Sequence, residues 1–314
     1  MTAIKEDRQR SVLVTGAGGF LGSAIVEHLS RAGFRVRAWL GGPFDSVREP
    51  VVPVETLRAD ITDEAAIRPA LTEIDVVVHL AGPPSVAASW EQPAEFARVH
   101  VVGTANLLQA CVARGVRRIV AVSSAEVYGQ PDQNPVVEAS ALKPRSPYGA
   151  VKLAAEHLIE SFVAGRGLDA IVLRPFSIYG RGMSATALLG TIFRQALHED
   201  RVVLNNLRPV RDYCHVDDLA QAVVRAVESP LTGFRVFNVA SGTGTSVSEL
   251  ALLAMRLTGR TLSLEENSSA RRPGASEINE LVAAIDSARE FLGWQPKIFL
   301  EDGLRQTLDW WRTL

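Results

Sequence analysis

The first half of the chain alternates short apolar runs with segments of helical periodicity. Six of the apolar runs have the composition of strands, and they occupy residues 11–15, 34–40, 54–59, 75–80, 118–123 and 170–173. Because a run such as 75–80 is too apolar to have a face in water, neither side of such a strand is suited to water. Strands of this kind, separated by helices, are typical of a parallel sheet covered on both faces. The sequence therefore predicts an α/β fold with a doubly wound parallel sheet.

Helical patterns lie between and after these runs. Leu21, Ile25 and Leu29 repeat at i, i+4 and i+8, which places them on one stripe of a helix over 20–32. Further helices are predicted at 96–111, 148–164 and 217–228, and a further strand at 236–239. We expect Asp217 to be the N-cap of the helix that it begins. A last helix-rich section closes the chain.

Charge and composition exclude several classes of protein. The 33 basic and 35 acidic side chains give a net charge of −2, which lacks the basic field that nucleic-acid-binding proteins use. Cys111 and Cys214 have no CxxC spacing, and the six histidines have no ligand spacing, so we expect no disulfide framework and no metal site. No apolar run approaches the ~20 residues that span a bilayer, and residues 1–10 lack the apolar core of a signal peptide. We expect a cytoplasmic protein with no nucleic-acid or membrane partner.

A glycine-rich segment separates the first strand from the first helix. Gly16, Gly19 and Gly22 have the spacing GxxGxxG, whereas the usual GxGxxG pattern would need a glycine at Leu21. Glycines here permit a tight turn and let the backbone approach a pyrophosphate, which then sits at the helix N-terminus. A tight turn without a ligand is the alternative. The position between strand and helix favours dinucleotide binding.

The glycine turn and the alternation together indicate the domain organisation. A chain of 314 residues favours one large domain or two unequal ones. The regular alternation ends after Pro175, where strand and loop signals become mixed. We expect a Rossmann-type nucleotide-binding domain over 1–175, with later segments returning to its sheet, and a smaller C-terminal substrate-binding lobe formed mainly by 176–314.

The choice between NAD and NADP is left open by the residues alone. An acidic residue at the end of the second strand usually binds the ribose of NAD. The nearest acid here is Asp45, which fits that position poorly. Arg35 and Arg37 share one face of the strand and are either surface charges or partners for a 2′-phosphate.

A group of three residues in the middle of the chain has side chains suited to hydride-transfer chemistry. Tyr148 and Lys152 stand at i and i+4, on one face of a helix, and Ser124 follows the fifth predicted strand. A phenol has a pKa near 10, and a neighbouring ammonium lowers it. General acid–base assistance by such a group is typically worth about 10²- to 10⁴-fold. YxxxK alone is common on solvated helices, so its weight comes from its position after the glycine turn.

The order of these motifs resembles the extended short-chain dehydrogenase/reductase family, in its nucleotide-sugar epimerase/dehydratase branch, near the UDP-glucose 4-epimerases. The resemblance covers roughly residues 11–312. Besides Ser124, Tyr148 and Lys152, it rests on residues 15–22 (TGAGGFLG), 60–61 (DI), 79–82 (HLAG), 173–180 (LRPFSIYG), 211–218 (RDYCHVDD), 237–242 (FNVASG) and 292–294 (LGW).

The resemblance implies NAD as the cofactor and a nucleotide-diphosphate sugar as the substrate. The implied cofactor contacts are Gly16, Gly19, Phe20, Leu21, Gly22, Asp60, Ile61, Leu80, Ala81, Gly82, Ser123, Tyr148, Lys152 and Pro175. For the substrate it implies Ser124, Ser177 and Arg211. Position alone adds Ser85, beyond the fourth strand where ligands gather, and Arg272, which either binds a diphosphate or belongs to a surface pair.

The chain also departs from the family pattern. Family members often carry Asn at the positions of His100 and Ser177, where it contacts cofactor or substrate phosphate. A stretch of the GDG type before the arginine signature is replaced here by residues 205–209 (NNLRP). These departures bear on how the sugar nucleotide is held and on the identity of its base.

Glu126 lies two residues after Ser124 and separates the candidate reactions. In the resemblance, 4,6-dehydratases place an Asp–Glu pair there, and Ala125 in this chain disfavours that chemistry. Glu126 is also similar to the glutamate of nucleotide-sugar decarboxylases and some other dehydratases, in which it would serve as a base near C5. A local role, capping backbone or pairing with an arginine, is the alternative.

The leading hypothesis is an NAD-dependent nucleotide-sugar 4-epimerase that forms a transient 4-keto hexose. Tyr148 would be the base, Lys152 would tune it, and Ser124 would orient the oxygen. The alternatives are a dehydratase or decarboxylase with Glu126 as the C5 base, an NADPH-dependent 4-ketoreductase, and a non-catalytic dinucleotide-binding sensor. The resemblance further implies a homodimer.

Overall fold

The structure is a computed structural model that describes residues 9–41, 48–267 and 277–314. Its strands are β1 (Ser11–Thr15), β2 (Arg35–Leu40), β3 (Glu55–Arg58), β4 (Val76–His79), β5 (Arg118–Val122), β6 (Asp169–Pro175), β7 (Ser177–Tyr179), β8 (Arg201–Leu204), β9 (Val210–His215), β10 (Phe234–Val239), β11 (Gly244–Ser246), β12 (Ser263–Glu266) and β13 (Glu280–Leu281). Each run that the sequence predicts as a strand forms one, with bounds within two residues of those predicted.

The chain forms two compact units that alternate along the sequence. Unit 1 comprises Met1–Val122, Ala154–Val172 and Val223–Arg235, and unit 2 comprises Ser123–Leu153, Leu173–Ala222 and Val236–Leu314. Unit 1 thus takes the first strands and two later segments of the chain, while unit 2 takes most of the C-terminal half.

A seven-stranded parallel sheet organises the fold. Its strand order is β10-β6-β5-β4-β1-β2-β3. The interior strand β1 is buried along its whole length, and its Val12 lies opposite Val36 on one side and Val76 on the other. The order of the strands reverses between β1 and β4, and ligands of such sheets bind beyond the carboxyl ends of the strands at that reversal. The predicted doubly wound parallel sheet is confirmed.

The helices cover the sheet and build the rest of unit 2. They are α1 (Phe20–Arg31), α2 (Glu64–Ala70), α3 (Val86–Glu91), α4 (Pro93–Ala97), α5 (Gly103–Arg114), α6 (Pro147–Arg166), α7 (Leu188–His198), α8 (Val216–Glu228), α9 (Val247–Thr258), α10 (Asp286–Leu292) and α11 (Leu300–Trp311). Within the described ranges, every helix is too short or too polar to cross a bilayer.

One local prediction about helices is wrong, and one predicted helix contains an irregular turn. Helix α8 begins at Val216, so Asp217 lies in its first turn and is not its N-cap. The ring nitrogen Nδ1 of His215 accepts the amide of Asp217 over 3.3 Å instead, and it takes the place of a capping oxygen. The helix predicted over 96–111 is present, but a π-helical turn, Arg98–Val102, separates α4 from α5 within it.

Unit 2 has its own small sheet and core. Strand β9 pairs with β7 in parallel, with β11 in an antiparallel arrangement and with β13 in parallel. Its apolar core includes Tyr128, Val136, Phe176, Leu281 and Ala283, all buried. The core therefore joins the segment after β5 to the ends of β6 and β13.

Candidate active site

The turn after β1 depends on two glycines. Gly16 has a φ of +69°, and a Cβ there would lie 3.0 Å from the backbone nitrogen of Ala81. A Cβ at Gly22 would overlap the carbonyl oxygen of Gly16. The amide of Gly19 donates to that same carbonyl over 3.2 Å and closes the turn. The backbone therefore requires glycine at Gly16 and at Gly22.

Helix α1 begins directly after this turn. Its N-cap residue is Gly19, and no side chain of the described residues caps it. The first amides of a helix have no partner within the helix, so those of Phe20, Leu21 and Gly22 are left for another acceptor. Together with the helix dipole, they suit a phosphate group.

Asp60, which the resemblance assigns to adenine, is held by Thr62 and Arg98. Its Oδ1 accepts bonds from the Thr62 amide and hydroxyl, both at 2.9 Å, and Arg98 Nη2 lies 3.3 Å from Oδ2. Glu95 orients the guanidinium of Arg98 through bonds of 2.6 and 2.8 Å. Burial acts to raise the pKa of Asp60, but the bonds from Thr62 and Arg98 outweigh it, and the pKa lies below its ordinary value. The carboxylate is therefore an ionised and oriented acceptor.

A buried chain of hydrogen bonds ties the glycine turn to the end of β4. Thr104 donates to a carbonyl one turn earlier over 2.6 Å, so its oxygen accepts from Nε2 of His79 over 2.9 Å. Nδ1 of His79 then accepts from the Thr15 hydroxyl over 2.8 Å, and that oxygen accepts the amides of Leu80 and Ala81 over 3.1 and 3.2 Å. The bond directions make His79 neutral, with its proton on Nε2. His79 therefore fixes the backbone of two predicted cofactor contacts.

His100 occupies the π-helical turn and packs on Gly82. Gly82 has a φ of +134°, and a Cβ there would overlap the His100 ring. Nε2 of His100 lies 3.1 Å from the carbonyl oxygen of Pro83, and its ring centroid is 5.9 Å from that of Phe96. Turns of this type are frequent at functional sites. The imidazole thus fills the space beneath Gly82.

Two other predicted residues have defined structural roles. The Oγ of Ser85 accepts the amide of Ala88 over 3.1 Å and caps α3. The amide of Ser123 donates to the carbonyl of Leu173 over 2.7 Å, where β5 and β6 end. Pro175, the last residue of β6, follows two residues later.

The structure brings Ser124, Tyr148 and Lys152 together in unit 2. All three are buried, with exposures of 9%, 8% and 9%. The side chain of Ser124 is hydrogen-bonded to the Tyr148 phenol, and Nζ of Lys152 lies 5.9 Å from the centroid of the Tyr148 ring. Helix α6 begins one residue before Tyr148, and the Ser146 hydroxyl caps it by accepting the Gly149 amide over 3.1 Å. The cap and the i, i+4 spacing place phenol and ammonium side by side.

Burial sets the protonation of Tyr148. Its desolvation raises the pKa of the phenol, the hydrogen bond from Ser124 lowers it, and the negative charge of Glu126 raises it further. The net pKa lies above the ordinary value, whereas the sequence predicts a pKa lowered by Lys152. Of these three influences, the bond from Ser124 is the one that favours the ionised form of the phenol. Glu126 contributes to the raised pKa because it is half-buried and close enough to act on the phenol.

The model of the NAD dependent epimerase/dehydratase family matches residues 12–240. The chain belongs to this family. It is an NAD-dependent enzyme of the extended short-chain dehydrogenase/reductase type, and the family predicted from the order of the motifs is confirmed.

The chain is similar to proteins named as epimerases and to solved structures that contain sugar nucleotides. UDP-glucose 4-epimerase of Streptomyces lividans is 35% identical over 303 residues, which cover 90% of this chain and 91% of that protein. The structure of UDP-glucose 4-epimerase of Thermotoga maritima with UDP-glucose has a TM-score of 0.88 and 29% identity, covering 96% of this chain and 99% of that one. MoeE5 in complex with UDP-glucuronic acid and NAD has a TM-score of 0.87 and 33% identity, with the same coverage.

Unit 1 has features that fit the NAD of this family. The glycine turn leaves a cradle that a Cβ would fill, and the uncapped start of α1 offers amides to a pyrophosphate. Arg37 is engaged elsewhere, since its guanidinium donates to the carbonyls of Ala70 and Thr72 over 2.8 and 2.9 Å and pairs with Glu55 at 2.8 Å. Asp45 lies outside the described residues. The prediction of NAD as cofactor is confirmed by the family.

Two of the predicted substrate residues share one face of the small sheet of unit 2. Ser177 in β7 lies opposite Tyr213 in β9, and Arg211 is two residues before Tyr213. Alternate residues of a strand point to the same face. Arg211 also lies 3.7 Å from a carboxylate oxygen of Glu277. The prediction for Arg272 falls outside the described residues.

Proposed function

We propose that this family member is a nucleotide-sugar 4-epimerase that works through a transient 4-keto hexose. The observation that carries this proposal is the buried group of Ser124, Tyr148 and Lys152, in which the phenol is hydrogen-bonded to the serine. The names of the similar proteins, UDP-glucose 4-epimerases of S. lividans and T. maritima, support it.

The three side chains divide the proton chemistry at the sugar. The oxygen of Tyr148 takes the proton of the C4 hydroxyl as C4 becomes a ketone, and it returns that proton when C4 is reduced again. Ser124, which is hydrogen-bonded to the phenol, orients the same reacting oxygen. The ammonium of Lys152, beside the ring, stabilises the phenolate that forms. Bound NAD supplies the reversible hydride acceptor, so the net reaction consumes no oxidant.

The substrate that we propose is a UDP-hexose. Arg211 and Ser177, on one sheet face, would bind its diphosphate, with Arg272 and Ser85 as further predicted contacts. A guanidinium is suited to phosphate because it donates in a planar fork. We assign the cofactor to unit 1 and the sugar nucleotide mainly to unit 2.

The direct test is the product formed from a panel of UDP- and dTDP-sugars that includes UDP-glucose, UDP-galactose and UDP-glucuronate. We expect interconversion of the 4-epimers without change in mass, with no net NADH in solution. Mass spectrometry and proton NMR of the sugar nucleotides measure this. Consumption of added NADPH would assign a 4-ketoreductase instead, and no conversion of any sugar with NAD bound would assign a sensor.

A dehydratase or decarboxylase is the second candidate, because Glu126 acts electrostatically on the Tyr148 phenol. A half-buried carboxylate that acts on this phenol is suited to removing a C5 proton from a 4-keto sugar. MoeE5, which is similar to this chain, is known in complex with UDP-glucuronic acid. An unsaturated product, or loss of carbon dioxide from UDP-glucuronate, would establish this candidate.

The pH dependence of the reaction separates the roles of Glu126 and Ser124. Since Tyr148 acts as a base, kcat rises with pH through its pKa. Glu126 raises that pKa, so Glu126→Gln is expected to move the rise to lower pH. Ser124 lowers it, so Ser124→Ala is expected to move the rise to higher pH. The two variants are therefore expected to shift the rise in kcat in opposite directions.

Profiles of kcat against pH for the two variants and the wild type measure these shifts. Shifts in the same direction would contradict the electrostatic assignment. Loss of all activity in Glu126→Gln, with Ser124→Ala still active, would favour a base at C5 over an epimerase.

We propose, further, that the enzyme is a homodimer in a reducing compartment, the cytoplasm. The buried thiols of Cys111 and Cys214 are both unpaired, which supports a reducing environment. Light scattering of the purified protein measures the number of subunits, and a monomer across the micromolar range would contradict the dimer.

A further inference from the structure

Gly149 lies between the two proposed catalytic residues of α6 and has no room for a side chain. A Cβ at Gly149 would lie 2.7 Å from the carbonyl oxygen of Glu126 and 3.1 Å from the Cβ of Pro144. The first distance is shorter than real Cβ contacts, so a side chain there would force one segment to move. Glycine at this position therefore lets the helix touch the backbone of the Ser124–Glu126 segment.

The carbonyl of Glu126 is not free to yield. It belongs to a 3₁₀ turn, Ala125–Val127, that begins at Ser124, and it accepts the amide of Gly129 over 3.3 Å. Gly129 is fixed in turn, because it has a φ of +63° and a Cβ there would overlap the carbonyl oxygen of Lys143. The 3₁₀ turn and the segment around the start of α6 therefore contact each other closely at two glycines, Gly129 and Gly149.

The Ser124 side chain is part of the same turn. Its Oγ accepts the amide of Glu126 over 3.1 Å, so a displacement of the Glu126 peptide moves the serine hydroxyl with it. Tyr148 precedes Gly149 directly and is hydrogen-bonded to that hydroxyl. The contact at Gly149 and the bond between serine and tyrosine therefore join the same two segments.

We propose that Gly149 is a positioning residue, which sets the distance between the Tyr148 phenol and the Ser124 hydroxyl by letting α6 rest on the Glu126 carbonyl. This inference rests on the proposed function, because it concerns the alignment of that catalytic pair. Gly149 itself touches no reacting atom in this assignment.

Gly149→Ala is expected to lower kcat by about 10- to 100-fold, since a displacement on the order of 1 Å costs up to about 10²-fold. The KM for the UDP-sugar is expected to change less than about twofold, because the variant leaves the predicted diphosphate contacts in place. The kcat against pH profile is also expected to rise at higher pH than in the wild type, because the lengthened bond from Ser124 lowers the Tyr148 pKa less.

Gly165→Ala is the matched control in the same helix. A Cβ at Gly165 would meet nothing within 4 Å. Alanine is also the better helix former, so this variant is expected to keep the wild-type kcat and pH profile and an equal or higher midpoint of thermal unfolding.

A readout that needs no substrate keeps this test separate from the proposed function. The ultraviolet absorbance of ionised tyrosine, corrected with Tyr148→Phe, follows the titration of Tyr148 alone. An upward shift in Gly149→Ala and none in Gly165→Ala supports the inference, even if the wild type converts no UDP-sugar and the proposed function fails. Equal titration and equal kcat in Gly149→Ala and wild type would overturn it.

A second variant covers the outcome in which Gly149→Ala does not fold. Adding Pro144→Gly removes the contact at 3.1 Å and gives the new methyl group room on that side. The double variant is expected to recover folding and part of the lost kcat, with Pro144→Gly alone as its control. If the double variant folds with the titration and kcat of Pro144→Gly alone, Gly149 has no positioning role.

Discussion

Replacing Tyr148 by phenylalanine is expected to lower kcat by about 10²- to 10⁴-fold, the range for loss of a general acid–base group. The phenol is the proposed carrier of the C4 proton, and neither Ser124 nor Lys152 offers an equivalent oxygen at the ring. The substitution removes one oxygen from a buried side chain and keeps its shape. The epimerisation rate with saturating UDP-sugar measures the effect, and the absorbance of released NAD after denaturation checks that the cofactor is retained.

Tyr179→Phe is the control for this prediction. The hydroxyl of Tyr179 is also buried, but it donates to the carbonyl of Leu300 at the start of α11, over a long 3.4 Å. The variant is therefore expected to keep the wild-type kcat and to lose at most about 1 kcal/mol of stability. A Tyr148→Phe variant with more than a tenth of the wild-type kcat would contradict the assignment of the base.

The strands of the large sheet were predictable because their signal is local. A run such as Val76–His79 is apolar on both sides and can only be buried within a sheet, whatever lies far away in the chain. The glycine turn is predictable for the same reason, since Gly16 and Gly22 are required by backbone within the turn itself and by the adjacent strand end.

Hydrogen bonds between distant residues were not predictable from spacing. The partners of His79 are Thr15, 64 residues earlier, and Thr104, 25 residues later. Arg98 orients Asp60 across 38 residues. No periodicity in the sequence brings these side chains together, because the sheet order decides which strand ends become neighbours.

The electrostatics of Tyr148 follow from packing in the same way. The i, i+4 spacing reveals the ammonium of Lys152 but not the burial that raises the phenol pKa. The cap of α8 shows the opposite failure, since Asp217 has the right residue type but the helix starts two positions too early for Asp217 to cap it. The residue type predicted Asp217 as the cap, whereas His215 at the end of β9 takes that place in the structure.

A loss of stability is expected from a substitution at Asp212, which is completely buried in unit 2. Its Oδ1 accepts the amide and hydroxyl of Ser241 over 2.7 and 2.6 Å, and its Oδ2 accepts the amides of Gly242 and Ala283 over 2.9 and 3.3 Å. Asp212→Asn replaces one of these oxygens by an amide group that donates. Two of the four donors then face a third donor and lose their acceptor.

A buried donor left without a partner costs roughly 1–3 kcal/mol. The buried donor among the four is the Ala283 amide, so Asp212→Asn is expected to lower the free energy of unfolding of unit 2 by about 1–3 kcal/mol. Urea unfolding followed by circular dichroism measures this, with Asp309→Asn as the control. Asp309 is exposed and pairs with Arg312 at 3.4 Å, and such pairs contribute about 0–1 kcal/mol. Equal midpoints and slopes for both variants would mean that Ser241, Gly242 and Ala283 find other acceptors. The carboxylate would then not be what joins β9 to the segments that follow β10 and β13.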